Sequence, residues 1–317
     1  MKKVFLFIAA EIMTAATAVA QQIAVVAPNG STKIYTQFDK AVEGAESGSV
    51  MYLSNGGFKT NDVKITKKLT IIGLTHKSNA GNADGSTTVQ GNINFRDGST
   101  GSSIMGCYVN GDVNIAEGGG KVNNVLVRYC NVNSIYVKND SCTGTTVNQC
   151  YVRGQIGGSY ADMKITNNII GGNKFYIKAG TISNNICLSS GNSIVFEGLY
   201  GCIITNNVLK GVTLWDTVDK DQASGNLCPS GSSFGADYVT YENWDDLFVN
   251  STPGVHPSSD FHFTDAYSQY KDIGIYGGTG FNDGALPPVP YVVSKVIPDQ
   301  TDSEGKLNIK IAVKAGE

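Results

Sequence analysis

Seven residues in the middle of the chain have side chains suited to holding a sugar polymer: Tyr136, Lys138, Lys174, Tyr176, Lys178, Glu197 and Trp215. Aromatic rings stack on sugar rings, and an ammonium group can hold a uronate carboxylate. Spacing ties the seven together. They sit among the period-two apolar pairs Ile135/Val137, Phe175/Ile177, Ile194/Phe196 and Val212/Leu214, so where those pairs point inward their neighbours project outward in rows. The same rows contain Asp112, Asn114, Ser134 and Thr213. Such a stripe fits an extended polymer better than a small molecule, while a merely solvated outer face has much the same composition. Both readings stand at this point.

Other chemistry-bearing residues are sparser. Asp216, Asp219 and Asp221 alternate near Gly225, an oxygen-rich spacing that suits Ca²⁺, although the full calcium-loop pattern is missing and a solvated loop explains it too. No cofactor is otherwise expected. His76, His256 and His262 are scattered and no CxxC pair occurs, which argues against zinc. Asp245 and Asp246 follow Asn243-Trp244 as a loop or helix start, and Asn282-Asp283-Gly284 is a turn.

The elements that position these residues come from a repeat. Val or Ile, two residues, Cys or Asn, one residue and an apolar residue recur six times: Ile104-Cys107-Val109, Val127-Cys130-Val132, Val147-Cys150-Val152, Ile165-Asn168-Ile170, Ile182-Asn185-Cys187 and Ile204-Asn207-Leu209. Successive Cys/Asn positions are 23, 20, 18, 17 and 22 residues apart, leaving no room for a crossover helix. The chain must coil, stacking strand over strand about 4.8 Å apart. Cys107, Cys130, Cys150, Asn168, Asn185 and Asn207 then form one internal column, in which Asn amides bond from rung to rung and Cys is a small core residue. Removing one such amide, as in Asn185→Leu, is expected to cost about 1–3 kcal/mol. Seven cysteines leave at least one unpaired; stacked buried thiols and an inter-rung disulfide are both compatible with the column, and parallel side-chain direction favours thiols.

The repeats Ile165-Thr166-Asn167-Asn168, Ile182-Ser183-Asn184-Asn185 and Ile204-Thr205-Asn206-Asn207 resemble rungs of the pectin-lyase-like superfamily of right-handed parallel β-helices, secreted bacterial members in particular. Tyr35 to Ala45 looks like that superfamily's amphipathic capping helix, with Phe38, Ala41, Val42 and Ala45 on one face, and Gly48 to Leu53 like its first strand. Asp272 to Gly278 resembles the segment that closes the solenoid in many such proteins. The resemblance covers residues 30–228 and implies an all-β solenoid with an N-terminal capping helix and a C-terminal cap. It leaves activity open, because superfamily members include lyases, hydrolases, esterases, binding proteins and adhesins. Their Asn-Thr-Asp and Gly-His-Gly signatures are absent here. A lyase needs a base and a cation beside the uronate; Lys138, Lys174 and Lys178 offer the charge, but no motif selects one.

Composition agrees with many short strands and tight turns. Of 317 residues, 38 are Gly and 28 Asn, and only 16% are charged, against about 25% in average domains. The formal charge of −3 offers no basic patch for nucleic acid. Met1-Lys2-Lys3, an apolar run from Val4 to Ala10 and Ala18-Val19-Ala20 read as a signal peptide cleaved before Gln21, giving an extracellular, periplasmic or cell-surface protein with no later membrane span. The expected organisation is a signal peptide at 1–20, an N-terminal segment and capping helix at 21–49, the β-helix at 50–228, C-terminal loops and cap at 229–286, and a terminal hairpin at 287–317. The functional expectation is a glycan-binding or structural β-helix, the alternative a polysaccharide lyase or related enzyme acting on an acidic glycan.

Overall fold

A computed structural model describes residues 21–77, 85–172, 175–188, 199, 201–211, 222–232, 234–251, 259–296, 298 and 300–314. Its strands stack into three long sheets of eleven, ten and six strands, almost wholly parallel. A complete rung contributes one strand to each sheet, as in the run Leu126–Arg128, Asn131–Val132 and Ile135–Val137; among the described residues the rungs after Phe175–Ile177 show strands of the first two sheets only. This is a β-solenoid.

The repeat is in register throughout. Ile104, Val127, Val147, Ile165, Ile182 and Ile204 pair in one column of the first sheet, which Ile71 extends at one end and Ala223 at the other. The final apolar positions Val132, Val152, Ile170, Cys187 and Leu209 make a second column. Between them runs the amide ladder. Asn168 Nδ2 donates to Asn185 Oδ1 at 3.0 Å, and Asn185 Nδ2 donates to Asn207 Oδ1 at 2.9 Å. Asn207 Nδ2 continues it to Asn226 at 3.0 Å. Asn226 belongs to a further copy, Ala223-Asn226-Cys228, which escapes a pattern demanding Val or Ile first.

All seven cysteines are free and buried. Burial raises the Cys130, Cys187 and Cys228 thiols to about 12, so they are inert core atoms rather than nucleophiles.

At the N-terminal end Phe38, Ala41, Val42 and Ala45 are buried, and the helix Phe38–Gly44 carries the first three into the core. The strand Ile23–Val26 pairs antiparallel with both Thr32–Tyr35 and Ser49–Leu53, an extension of the first sheet that the repeat gave no sign of. Near the C-terminus of the sequence Tyr291–Val296 and Lys310–Lys314 form an antiparallel hairpin, as the turn residues between them suggest.

The stretch after Cys228 departs from expectation. Asp272 to Gly278 runs back along the corner between the first and second sheets instead of lying across a final rung. That corner holds one left-handed residue per rung: Tyr129, Gln149, Asn167, Asn184 and Asn206, with φ between 53° and 56°. Asn tolerates this conformation better than most residues, and its outward side chain is free to bind. Asn184 Nδ2 donates to the Asp272 carbonyl at 2.9 Å. Asn167 Nδ2 donates to the carbonyls of Ile275 and Gly277 at 2.9 and 2.7 Å. Gln149 Oε1 accepts from Asn282 N at 2.8 Å, and Thr75 Oγ1 donates to the Gly284 carbonyl at 3.0 Å. In Asn167-Asn168 and Asn184-Asn185, therefore, the first side chain holds this strap and the second builds the internal ladder, while Asn206 reaches the strap through its backbone carbonyl, which accepts from Gly274 N at 2.8 Å.

The strap exists because the second sheet is apolar on its outer side as well. Tyr151, Ile169, Ile186, Val208 and Leu227 form an outward row, which Tyr241, Trp244, Leu247, Phe248, Phe261 and Ile275 bury in a second core. Trp244 opens the short helix Trp244–Asp246, where Asn243 Oδ1 accepts from Asp245 N at 3.2 Å.

Candidate functional site

The third sheet carries the outward column Lys64, Asn94, Asn114, Tyr136, Gly157 and Tyr176, one residue per rung. Asn114 Nδ2 donates to Asn94 Oδ1 at 3.0 Å, so the column begins as a buried amide pair. It then becomes aromatic. Tyr136 is half-buried, and Lys138 Nζ stands 4.2 Å from its ring centroid. Tyr176, also half-buried, lies two rungs further along, roughly 10 Å away at the spacing of stacked strands. Lys178 is exposed immediately after that strand.

Gly157 lies between the two tyrosine rungs and contributes no side chain there. Its φ is 137°, and an added Cβ would sit 2.5 Å from Tyr176 N. After Gly157 the register shifts, and the chain bulges until Ala161 pairs with Ile177. The outward column thus carries two phenol rings with no side chain at the position between them, and a lysine stacked on one of them. Rings set along a column in this way can stack on the faces of sugar rings, with an ammonium group available to a carboxylate.

Of the seven residues expected to form the stripe, the structure brings together Tyr136, Lys138, Tyr176 and Lys178. Lys174, Glu197 and Trp215 lie outside the described residues, as do Thr213 and the calcium candidates Asp216, Asp219 and Asp221. Among the described residues, no group of three or more His, Cys, Asp or Glu could hold a metal. Asp112 and Ser134 serve the scaffold. Asp112 Oδ1 accepts from Asn133 Nδ2 at 2.7 Å and Ser134 N at 3.1 Å, and Ser134 Oγ accepts from Gln155 N at 3.1 Å.

Two concavities were not legible in the sequence. The larger, 620 Å³, lies beside the N-terminal helix and is lined by Gln21, Gln37, Asp39, Lys59, Asn61 and Gln90 among others. The smaller, 50 Å³, lies under the strap and brings His76, Lys77 and Tyr151 against Tyr276 and Asp283. There Tyr276 Oη donates to Asp283 Oδ1 at 2.8 Å, and its ring stacks on His262, 3.8 Å between centroids. Tyr276 thus neighbours two of the histidines read as scattered, His76 across the cavity and His262 by stacking, only because the strap returns along the solenoid. No local motif encodes that return; the readable signal was the adjacent apolar pairs Ile169-Ile170, Ile186-Cys187 and Val208-Leu209, whose strands must be covered on both faces.

His76 gives this region a pH dependence. Burial lowers its pKa to about 4, the Tyr129 carbonyl opposing and the Lys77 charge reinforcing the shift. Asp283, Tyr151 and Tyr276 face it across the cavity. The native protein therefore disfavours imidazolium, and the stability this contributes is complete above about pH 6.5 and lost as pH falls towards about 4. Melting midpoints followed through that window should fall more steeply for the wild type than for His76→Asn. Parallel curves would contradict the assignment.

No family model, curated protein or solved structure matches this chain.

Proposed function

We propose that this chain is an exported, glycan-binding parallel β-helix of the pectin-lyase-like type, right-handed, holding an extended polysaccharide across the outer face of its third sheet. The observation that carries the reading is the shared outward column of Tyr136 and Tyr176, opened by Gly157 between them and flanked by Lys138 and Lys178. Aromatic faces repeated along a rigid axis fit a polymer, and exposed lysines favour an acidic one. The rungs and their asparagine ladder support the superfamily reading. Export rests on the leader-like first twenty residues, so mass spectrometry of the natively produced chain should find Gln21 at its start; an intact Met1 would contradict this.

A screen of neutral and acidic polysaccharides by affinity-gel retardation, followed in parallel for ultraviolet absorbance of an unsaturated product, separates binding from lyase action. Against the polymer it returns, Tyr136→Ala and Tyr176→Ala should each weaken binding by about 1 kcal/mol. Lys138→Ala should reduce its salt sensitivity if the polymer is anionic. Unchanged affinity in both tyrosine variants would move the site to the amide-lined groove of Gln21, Gln37, Asn61 and Gln90. Trp244 is 7% exposed within the second core and presents no stacking face to a ligand.

A further inference from the structure

The 50 Å³ cavity under the strap has the chemistry of a ligand site in its own right. Tyr151 is 6% exposed, and among the described residues its buried Oη finds no hydrogen-bond partner. A buried hydroxyl without a partner is costly, and few survive without a use. His76 Nδ1 lies 3.0 Å from the Tyr129 carbonyl; because a carbonyl only accepts, Nδ1 carries the proton and Nε2 is left as an acceptor. One donor and one acceptor therefore meet in the same small space.

Charge and size narrow the ligand. Lys77 Nζ already donates to the Asp283 carbonyl, and the Asp283 carboxylate accepts from Tyr276, so the opposite charges nearby balance and favour a neutral ligand. Ile169, Ile275 and Phe281 supply apolar wall. A volume of 50 Å³ exceeds the roughly 10–15 Å³ that holds one water and falls well short of the roughly 150 Å³ that holds benzene. Asp283 is exposed, so the cavity opens to solvent on its side.

We propose that this cavity binds an acetamido group, its methyl against Ile169, Ile275 and Phe281, its carbonyl accepting from Tyr151 Oη and its N–H donating to His76 Nε2. The group arrives as a free small amide or as the N-acetyl substituent of a sugar whose ring stays outside. The site is separate from the third-sheet face and does not depend on it.

Isotope-labelled full-length protein titrated with acetamide, N-acetylglucosamine and glucose tests this, with the isoleucine methyl and tyrosine ring signals followed by NMR. Saturable shifts of Ile169, Ile275 and Tyr151 are expected with at least one of the two amides and not with glucose. Acetamide alone marks a free amide as the natural source; N-acetylglucosamine marks the sugar. Tyr151→Phe should weaken amide binding about five- to tenfold without lowering the melting midpoint, because the hydroxyl it removes has no partner among the described residues. Shifts with neither amide, equal shifts with glucose, unchanged affinity in Tyr151→Phe or a lower melting midpoint for that variant would each overturn the proposal. The acetamide arm contains no sugar, so its outcome is independent of whether the third sheet binds glycan.

Discussion

Asn185→Leu should destabilise the protein by about 3 kcal/mol, the upper end of what one buried orphaned group costs. The Asn185 side chain takes part in four hydrogen bonds. It accepts from Asn168 N and Asn168 Nδ2 at 2.9 and 3.0 Å, and donates to the Ile165 carbonyl and Asn207 Oδ1 at 3.0 and 2.9 Å. Leucine has nearly the right bulk and none of these functions. The Asn168 N–H loses its acceptor inside a fully buried column, where no water can replace it. Asn185→Asp should fare no better, since a carboxylate keeps the acceptors but cannot donate to Ile165 or Asn207. Chemical denaturation of both variants measures the loss. A midpoint equal to that of the wild type would mean that the ladder contributes nothing.

Phe248→Ala should open the second core while leaving the solenoid wound. Phe248 is 3% exposed and packs its ring against Trp244, Phe261 and Phe263, with centroids 5.2, 5.3 and 5.1 Å apart. Removing a buried phenylalanine costs about 3–5 kcal/mol. This core joins the outer row of the second sheet to the strap and is separate from the internal one, so the loss should appear as local opening. Hydrogen exchange should accelerate across residues 239–285 and remain slow at Val127, Val147 and Ile165. Uniform acceleration of both regions would show a single cooperative unit and contradict the separation.

How much of this could be read beforehand follows from distance along the chain. Rung neighbours are about twenty residues apart and repeat one pattern, so the inward columns and the role of Asn168, Asn185 and Asn207 were visible in the spelling. Tyr136 and Tyr176 were visible for the same reason, since alternation within a strand fixes which side chains point outward. The bulge after Gly157 was hidden, because only the close approach of Tyr176 and Val137 backbone explains two consecutive glycines there. Hidden too was the meeting of His76 with Tyr276. It depends on a strap whose course is set by the side chains of Gln149, Asn167 and Asn184 together with Thr75, and a left-handed Asn looks the same in sequence as an ordinary turn.

The strap also imposes an order of events on a chain made from its N-terminus. Each rung can wind on the one before it as soon as it emerges, since its partners already exist. The row from Tyr151 to Leu227 is different. Its cover is synthesised later, and the Thr75 to Gly284 bond closes across 209 residues, a connection whose entropy must be met before it rewards the chain. Until then a wound but unfinished molecule carries a greasy stripe down one side, open to holdases, export machinery or a second nascent chain. Arrival of the segment from Tyr241 to Gly284 erases that stripe, which makes closure of the strap a physical signal that the solenoid has been covered.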